Sequence, residues 1–305
     1  MRDSRLQAKP FLKWAGGKGQ LLQQIEGYLP NALKVGKIKR YVEPFVGSGA
    51  LFFYVAQRYQ VDEFIIADIN PELAMAYRVI QQDVAALIGL LQELQDYYWG
   101  LSATARKVYF YETRSRFNTQ RNIIDFNNYS EAWIGRTVQL LFLNRTCFNG
   151  LFRVNRKGEF NVPMGRYKNP RFCNAENLQA VSRLLQRTRI LRGDFEVCEG
   201  MVDRDTFVYF DPPYRPVSET ANFTHYAGRG FDDNEQLRLR DFFELLDDKG
   251  AKLMLSNSDS DFFDVAYRNY TVIRLEAKRH INSNKSKRGV VKEVLIMNYE
   301  SGMID

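Results

Sequence analysis

FVYFDPPY, at residues 207–214, is the stretch that decides the fold of this chain. Its first four residues are β-branched or aromatic, and such a run predicts a buried strand. The two prolines cannot donate to a sheet ladder, so the strand ends before them. Asp211 and Tyr214 are therefore expected at the carboxyl end of a strand, which is where open α/β sheets bind their ligands.

A strand, a glycine turn and a helix are predicted upstream, at residues 40–59. The turn reads Pro44-Phe45-Val46-Gly47-Ser48-Gly49, and its glycines let a ligand approach the backbone closely. The next predicted strand, at residues 63–67, ends at Asp68. An acid about 20 residues beyond such a turn can accept hydrogen bonds from the two hydroxyls of a ribose. The pattern indicates a nucleoside-binding half, with capping of the following helix as the alternative role for Asp68.

Gly16-Gly17-Lys18, near the N-terminus, precedes a predicted helix at residues 20–29. The upstream glycine and the Ser or Thr of a phosphate-binding loop are missing, which excludes a nucleoside-triphosphate site of that kind. A lysine at the N-terminus of a helix still suits a carboxylate ligand.

Residues 71–143 show helical periodicity with no strand pattern between the helices, which predicts an inserted helical block. Residues 144–170 are instead rich in Asn, Arg, Gly and aromatic residues. Within them, residues 155–158 suit the turn of a β-hairpin between 152–154 and 160–162. A β-ribbon fits the major groove of DNA, where Arg can read guanine and apolar side chains can contact the thymine methyl. An ordinary surface hairpin is the alternative.

The remaining patterns complete an α/β sheet. The predicted elements are a helix at 176–187, a strand at 188–191, an acidic turn at Asp194 and Phe195, a helix at 232–246, a strand at 252–255, a short helix at 261–267, and a closing strand pair at 271–275 and 293–299. Two loops are also predicted, a polar and aromatic one at 218–226 and a basic, mobile one at 278–289.

The net charge of +7 is concentrated in two segments of the chain. Residues 101–200 contain 17 Lys and Arg against 8 Asp and Glu, and residues 278–292 add six basic residues and no acidic one. Basic segments interleaved with Tyr, Phe and Asn favour a polyanion as the partner. A solvated basic face is the alternative.

Three cysteines without C-x-x-C spacing and only two histidines restrict the chemistry. They argue against a disulfide framework and a zinc site, and for a reducing cytoplasm. We therefore expect a cytoplasmic protein without a metal. No apolar run approaches the roughly 18–20 residues that a membrane span needs, and the first residues lack the apolar core of a secretory signal.

Together, the motifs at residues 11–18, 43–49, 67–70, 149–168 and 211–214 resemble the Dam-type DNA adenine-N6 methyltransferases of the alpha group, especially the methylases of GATC-specific restriction–modification systems. The resemblance covers essentially the whole chain. It implies a Rossmann-like, S-adenosylmethionine-dependent methyltransferase sheet with a terminal antiparallel strand pair. It also implies an inserted, mostly helical DNA-recognition subdomain carrying a β-hairpin. The catalytic domain would comprise residues 1–70 and 172–305, and the target-recognition domain residues 71–171.

The activity that this resemblance implies is transfer of a methyl group from S-adenosylmethionine to adenine N6 in double-stranded DNA, within GATC and by base flipping. Such an enzyme would protect host DNA in a restriction–modification system, with a cognate restriction endonuclease as its functional partner. We expect a monomer. Two alternatives are a methyltransferase of another amino group, in an RNA base or a protein glutamine, and a catalytically silent DNA-binding protein on the same fold.

Positions that match the motifs of the family acquire roles from the resemblance. The catalytic set is Asp211, Pro212 and Tyr214. The cofactor set is Trp14, Lys18 at the methionine end, Phe45, Gly47, Gly49, Asp68 at the ribose, Asp194 and Phe195 beside the adenine, and Asp211. The DNA set is Lys13, Phe148, Asn149, Leu151, Arg153, Pro163 and Tyr167.

The chemistry explains why the catalytic set has these residue types. The exocyclic nitrogen of adenine is a poor nucleophile, because its lone pair is delocalised into the ring. Asp211 Oδ and the Pro212 carbonyl can draw the amino hydrogens out of the ring plane and so localise that lone pair. Tyr214 would stack on the extruded base, and Phe148 could fill the gap left in the duplex. An ordinary Asp pKa of about 3.9 makes Asp211 a poor general base at neutral pH.

Overall fold

A computed structural model of the chain describes residues 7–14, 16, 18, 19, 21–215, 231–278 and 290–300, and only the backbone at 277, 278 and 290–292. The loop predicted at 218–226 lies outside these residues. So does the basic loop predicted at 278–289, except for Lys278, which ends a strand.

The described residues form a seven-stranded mixed sheet. Its strands are β1 (Arg40–Glu43), β2 (Glu63–Asp68), β3 (Thr188–Arg192), β4 (Thr206–Phe210), β5 (Lys252–Ser258), β6 (Thr271–Lys278) and β7 (Val290–Met297). The order across the sheet is β3-β2-β1-β4-β5-β7-β6. The first five strands are parallel, and β7 runs antiparallel to both β5 and β6. The predicted α/β class with a terminal antiparallel pair is confirmed.

In the described part of the chain, two α-helices precede β1, one follows each of β1, β4 and β5, and five lie between β2 and β3. They are α1 (Leu22–Tyr28), α2 (Asn31–Lys34), α3 (Ala50–Arg58), α4 (Pro71–Gln82), α5 (Val84–Gly100), α6 (Ala103–Gln120), α7 (Ala132–Thr146), α8 (Ala175–Leu185), α9 (Asp233–Asp248) and α10 (Asp261–Ala266). Side-chain caps fix where four of them begin, at Asn70, Ser102, Asn174 and Asp232. Each cap accepts a hydrogen bond from a backbone N–H that the first turn leaves unpaired.

The sheet has a hydrophobic core on each face, because successive residues of a strand point to opposite sides. Tyr41 and Phe207 belong to one cluster, together with buried residues of α1 and α3–α8. Val42 and Val208 belong to the other, together with α9 and α10. The α4–α7 block shares the first core, so it packs directly on the helices that cover the sheet. Its division from the catalytic domain at 71–171 stays a prediction.

The hairpin predicted at residues 152–162 is reduced to one isolated antiparallel bridge, between Val154 and Phe160. The two segments exchange hydrogen bonds on either side of this bridge, from Asn155 N to Glu159 O at 2.9 Å and from Asn161 N to Arg153 O at 3.1 Å, and helix α6 binds their outer edge. Asn118 accepts from Phe160 N at 2.8 Å and donates to Phe160 O at 3.1 Å, and Arg114 donates to Val162 O at 3.3 Å. The turn itself forms as expected, since Asn155 Oδ1 accepts from two of its backbone N–H groups.

The bounds of three strands also differ from the prediction. β5 continues through residues 256–258, which the sequence suggested as the residues after the strand, because these residues pair with β7. β6 and β7 are both longer than expected and stay paired from Thr271–Met297 to Lys278–Val290. Among the described residues, no helix is both long and apolar enough to cross a membrane.

Candidate active site

The strand order places a crevice between β1 and β4. Within the sheet, β2 is the neighbour of β1 along one edge and β4 is its neighbour along the other edge. Ligands of open α/β sheets bind at such a switch point, beyond the carboxyl ends of the strands. The glycine turn after β1 and the Asp211 segment after β4 therefore meet at one edge, as the sequence predicted.

The glycine turn is held in a shape that other residues would disturb. Gly47 and Gly49 have φ of 47° and 71°, in the left-handed region that favours glycine. A Cβ on Gly47 would lie 3.1 Å from Trp14 Cδ1, and one on Gly49 would lie 2.6 Å from the Tyr77 hydroxyl oxygen. Tyr77 also donates a hydrogen bond to Gly47 O at 3.1 Å. The packing around Gly47 and Gly49 therefore leaves too little room for a side chain at either position.

Asp68 closes this turn from the end of β2. Its carboxylate accepts from Gly47 N at 3.0 Å and from Asn70 N at 2.8 Å. The cap of α4 is Asn70, which accepts from Glu72 N at 3.0 Å, so Asp68 does not have the capping role. Burial raises the pKa of Asp68 to about 6, while the hydrogen bonds from Asn70 and Gly47 act in the opposite direction.

Asp211 lies in a network of polar side chains. Its Oδ1 is 2.9 Å from Lys18 Nζ and accepts from Ser256 Oγ at 3.1 Å. Ser256 in turn lies 2.9 Å from the hydroxyl of Tyr209. Burial raises the pKa of Asp211, and the nearby Lys18 ammonium opposes that shift. Asp211 therefore holds a proton more readily than an exposed aspartate.

Tyr214 is attached to a residue that the sequence analysis did not single out, Glu293 on β7. The Tyr214 hydroxyl donates to Glu293 Oε2 at 2.5 Å. The same oxygen lies 3.2 Å from Lys18 Nζ, and that ammonium is 4.1 Å from the centroid of the Tyr214 ring. Lys18 is thus enclosed by two carboxylates and an aromatic face, and only 3% of it is exposed.

Lys18 does not stand at the start of a helix pointing at an open carboxylate position. Its carbonyl accepts from Leu21 N and Leu22 N, and α1 begins only at Leu22. The protein's own carboxylates, Asp211 and Glu293, are its partners in this structure. Glu293 is 275 residues away, so no local pattern could have predicted the contact.

A second buried carboxyl, Glu43, ends β1 beside the site. It is 2% exposed and accepts a hydrogen bond from the Tyr41 hydroxyl at 2.6 Å. Burial raises its pKa well above the usual range, and the nearby Asp211 raises it further. The sequence analysis included Glu43 in a motif without giving it a role.

Asp194 and Phe195, which are predicted to lie beside the adenine of the cofactor, have different environments. Phe195 is buried, with its ring centroid 5.5 Å from that of Phe45 and 5.4 Å from that of Phe242. Asp194 is partly exposed and accepts two hydrogen bonds from Arg238, at 3.0 and 2.8 Å. The structure thus brings Phe45 and Phe195 into one aromatic wall and leaves Asp194 in an ion pair beside it.

The DNA set forms a partly exposed face. Phe148, Leu151 and Tyr167 are 51%, 38% and 36% exposed. Phe148 N donates to Pro163 O at 2.8 Å, and Lys13 Nζ lies 5.1 Å from the centroid of the Tyr167 ring. Exposed apolar side chains that form one contiguous patch mark interaction sites, whereas single exposed ones do not.

Asn149 and Arg153 complete this face. Asn149 has a φ of 57°, a left-handed conformation that asparagine tolerates better than most residues. Arg153 donates from Nε to Asn161 Oδ1 at 2.8 Å. That bond fixes the direction of the side chain, and among the described residues the two terminal nitrogens of Arg153 make no further hydrogen bond.

Several arginines of the basic segment donate hydrogen bonds to backbone carbonyls of the protein, which the charge count could not show. Arg106 donates to Lys168 O, Arg114 to Val162 O and Arg121 to Lys157 O. Arg106 and Arg114 of α6, and Arg121 directly after it, thus tie residues 157–168 to the helix. Arg136 is buried in an ion pair with Glu72. Part of the positive charge in residues 101–200 thus stabilises residues 144–170, the predicted recognition segment.

The fold and this site define an α/β methyltransferase of the kind that acts on amino groups. The chain belongs to the family described as D12 class N6 adenine-specific DNA methyltransferase, which matches residues 14–281. The expected family is confirmed, and the protein is an adenine-specific DNA methyltransferase. The family implies S-adenosylmethionine as the methyl donor. Among the described residues, no group of three or more His, Cys, Asp or Glu could hold a metal ion.

Curated relatives match along nearly the whole chain. The Type II methyltransferase M.MjaIII of Methanocaldococcus jannaschii is 49% identical over 296 residues, which is 96% of this chain and 100% of that protein. The Type II methyltransferase M1.LlaDCHI of Lactococcus lactis subsp. cremoris is 38% identical over 301 residues, 98% of each chain. A DNA adenine methylase of Vibrio cholerae is 34% identical over 290 residues, 95% of each chain.

Proposed function

We propose that this adenine-specific DNA methyltransferase modifies adenine N6 within GATC in double-stranded DNA, after flipping the base out of the helix. The observation that carries the proposal is the position of two consecutive residues. Lys13 contacts Tyr167 of the DNA set, and Trp14 contacts Gly47 of the cofactor turn. The predicted DNA face and the predicted cofactor site therefore adjoin.

The residues around the crevice fit S-adenosylmethionine. The turn at Gly47 and Gly49 leaves backbone that a ligand can approach, and the Asp68 carboxylate beside it can accept from ribose hydroxyls. The ring wall of Phe45 and Phe195 suits the adenine of the donor. When bound, this molecule supplies a methyl group activated by a sulfonium. We assign the glycine turn, Asp68, Phe45 and Phe195 to the binding of S-adenosylmethionine.

Asp211 and Pro212 would then act on the target nitrogen. The Asp211 carboxylate and the Pro212 carbonyl accept the two amino hydrogens and orient the lone pair, while the Tyr214 ring supports the base. After methyl transfer the nitrogen carries one proton too many. Because burial raises the pKa of Asp211, this carboxylate is a better acceptor for that proton than an ordinary aspartate. The pKa of an ordinary aspartate, which would make Asp211 a poor general base, therefore does not apply to this residue.

Extrusion of the adenine costs a few kcal/mol in unstacking and unpairing. Phe148 is the side chain that we assign to fill the gap, since it is 51% exposed at the tip of a short turn. Exposed basic residues of the recognition segment would contribute phosphate contacts. A role in protecting DNA from a restriction endonuclease is supported by two relatives named Type II methyltransferases.

Arg153 is the residue that tests the sequence preference. Its Asn161 hydrogen bond holds it in one direction, and a bidentate contact of Arg with guanine contributes about 1–3 kcal/mol of discrimination. We expect Arg153→Ala to relax base choice more than it weakens nonspecific DNA binding. Methylation would be measured on duplexes in which each base of GATC is changed in turn.

The matched control for that variant is Arg156→Ala, an exposed arginine in the neighbouring turn. It should lower affinity without changing the preference among duplexes. Equal preference in Arg153→Ala and the unaltered enzyme would contradict a base contact at Arg153. Methylation of RNA or protein, with none of duplex DNA, would favour the alternative substrate classes.

A further inference from the structure

The Lys18 ammonium contacts both residues that the proposed function assigns to the target adenine, Asp211 and Tyr214. Nζ lies 2.9 Å from Asp211 Oδ1, 3.2 Å from Glu293 Oε2 and 4.1 Å from the centroid of the Tyr214 ring. In the proposed function, the amino group of the target adenine must also lie within hydrogen-bond distance of Asp211, with its ring on Tyr214. The Asp211 carboxylate, whose Oδ1 already contacts Lys18 and Ser256, would therefore have to serve the ammonium and the amino group together or turn from one to the other.

Removing the ammonium from Asp211 is costly unless it keeps another anionic partner. Breaking a buried ion pair by leaving one charge uncompensated is strongly destabilising. Lys18 is 3% exposed, so water cannot replace Asp211. Glu293 is the second carboxylate within reach, and it already shares the ammonium.

Glu293 also controls the ring on which the base would stack. Its Oε2 accepts the hydrogen bond of the Tyr214 hydroxyl at 2.5 Å, and a bond to a charged acceptor is stronger than one between neutral groups. Pro212 and Pro213 fix their own φ angles and so restrict the chain that leads to Tyr214. The bond to Glu293 fixes the far end of the side chain.

We propose that Glu293 is a positioning residue of the methyl-transfer site, which retains the Lys18 ammonium when Asp211 turns to the adenine amino group and holds the Tyr214 ring by its hydroxyl. The inference rests on the proposed function of Asp211 and Tyr214. Glu293 acts through these two residues and through Lys18, and it need not touch the substrate.

The place of Glu293 in the sheet makes the proposal testable without loss of the fold. It lies on β7 and pairs through its backbone with Ser258 of β5 and Leu275 of β6. Those ladder bonds do not depend on its side chain. Glu293→Gln keeps the size of the side chain and an acceptor for Tyr214, but removes the charge that holds Lys18.

The first test is the turnover of Glu293→Gln on duplex DNA. We expect kcat to fall by about tenfold or more, since each 1.36 kcal/mol of lost transition-state stabilisation is a factor of ten. The dissociation constant for S-adenosylmethionine and the thermal midpoint should change little. Glu276→Gln is the matched control, because Glu276 is exposed on the neighbouring strand β6. It should keep the kcat of the unaltered enzyme.

The second test separates positioning from a general structural effect. Tyr214→Phe keeps the ring and removes the hydroxyl that Glu293 holds. It should lower kcat in the unaltered background but cost nothing further in a Glu293→Ala background, because the partner is gone. Additive losses would contradict the proposed route through Tyr214.

The outcomes also distinguish this inference from the proposed function. If the unaltered enzyme fails to methylate duplex DNA, the proposed function is wrong. If it methylates DNA and Glu293→Gln has the same kcat, only the inference about Glu293 is wrong. If the thermal midpoint of Glu293→Gln falls together with its activity, the residue has a structural role, and that result would also contradict the inference.

Discussion

Asn144 holds both backbone groups of Lys13 with a single side chain. Its Oδ1 accepts from Lys13 N at 2.9 Å, and its Nδ2 donates to Lys13 O at 2.8 Å. The same Nδ2 donates to Gly150 O at 3.0 Å. One fully buried carboxamide thus joins the N-terminal segment to the recognition segment, and Trp14 continues from there to the cofactor turn.

We expect Asn144→Ala to raise the KM for DNA by about tenfold, because Lys13 and Gly150 would lose buried partners worth roughly 1–3 kcal/mol. Since Asn144 acts through Lys13, the double variant with Lys13→Ala should lose little more than Lys13→Ala alone. Initial rates over a range of duplex concentrations measure this. Asn122→Ala, at an exposed position, is the control, and an unchanged KM in Asn144→Ala would refute the role.

Cofactor binding should weaken in acid because of Asp68. Burial raises its pKa to about 6, and a protonated carboxyl is a weaker acceptor for ribose hydroxyls than a carboxylate. At pH 5 about nine-tenths of such a group is protonated, so the dissociation constant for S-adenosylmethionine should be about tenfold higher than at pH 7.5. Calorimetric titration at both values measures the change.

Asp68→Asn should bind the cofactor more weakly at pH 7.5 and show no such dependence between pH 5 and 7.5. Asp62→Asn removes an exposed acid nearby and should behave like the unaltered protein. A dissociation constant that stays flat with pH in the unaltered protein would show that the Asp68 carboxylate does not contribute.

The buried pair of Glu72 and Arg136 should matter for stability. Arg136 Nε lies 2.9 Å from Glu72 Oε2, and its guanidinium is 4.0 Å from the centroid of the Phe117 ring. Both residues are less than one-twentieth exposed. Removing one partner of a buried pair costs about 3–5 kcal/mol, whereas replacing both by apolar residues is often neutral.

Glu72→Gln should therefore lower the free energy of unfolding by that amount, and Glu72→Leu with Arg136→Met should recover most of it. Urea denaturation measures both. Asp264→Asn breaks an exposed pair with Arg274 and should cost less than about 1 kcal/mol. A similarly small cost for Glu72→Gln would mean that the buried pair is already hydrated or dispensable.

Local pattern was sufficient for the elements that carry the site. The strand before Asp211, the glycine turn and the strand ending at Asp68 are each set by short-range rules, namely proline as a strand stop, glycine at positive φ and apolar runs in a parallel sheet. The order of these elements then brings their carboxyl ends together. The edge where the site lies could therefore be predicted from the sequence.

Long-range pairing could not be predicted in the same way. The partners of Lys18 and of Asn144 lie on segments far away in sequence. The turn at residues 155–158 could be predicted from local pattern, but the binding of the outer edge of this hairpin by Asn118 and Arg114 of α6 could not. The one local indication was that a polar residue, Asn144, directly follows the mainly apolar residues 138–143. Such a position favours a buried side chain that binds backbone groups of another segment.

The most direct test of the account compares the unaltered protein with Asp211→Ala. Each would be incubated with labelled S-adenosylmethionine and plasmid DNA, and the plasmid then digested with endonucleases that respond oppositely to adenine methylation at GATC. We predict label in N6-methyladenine and protection from the methylation-blocked endonuclease with the unaltered protein, and neither with folded Asp211→Ala. Label without protection would contradict GATC, and substantial turnover by Asp211→Ala would contradict the role of Asp211.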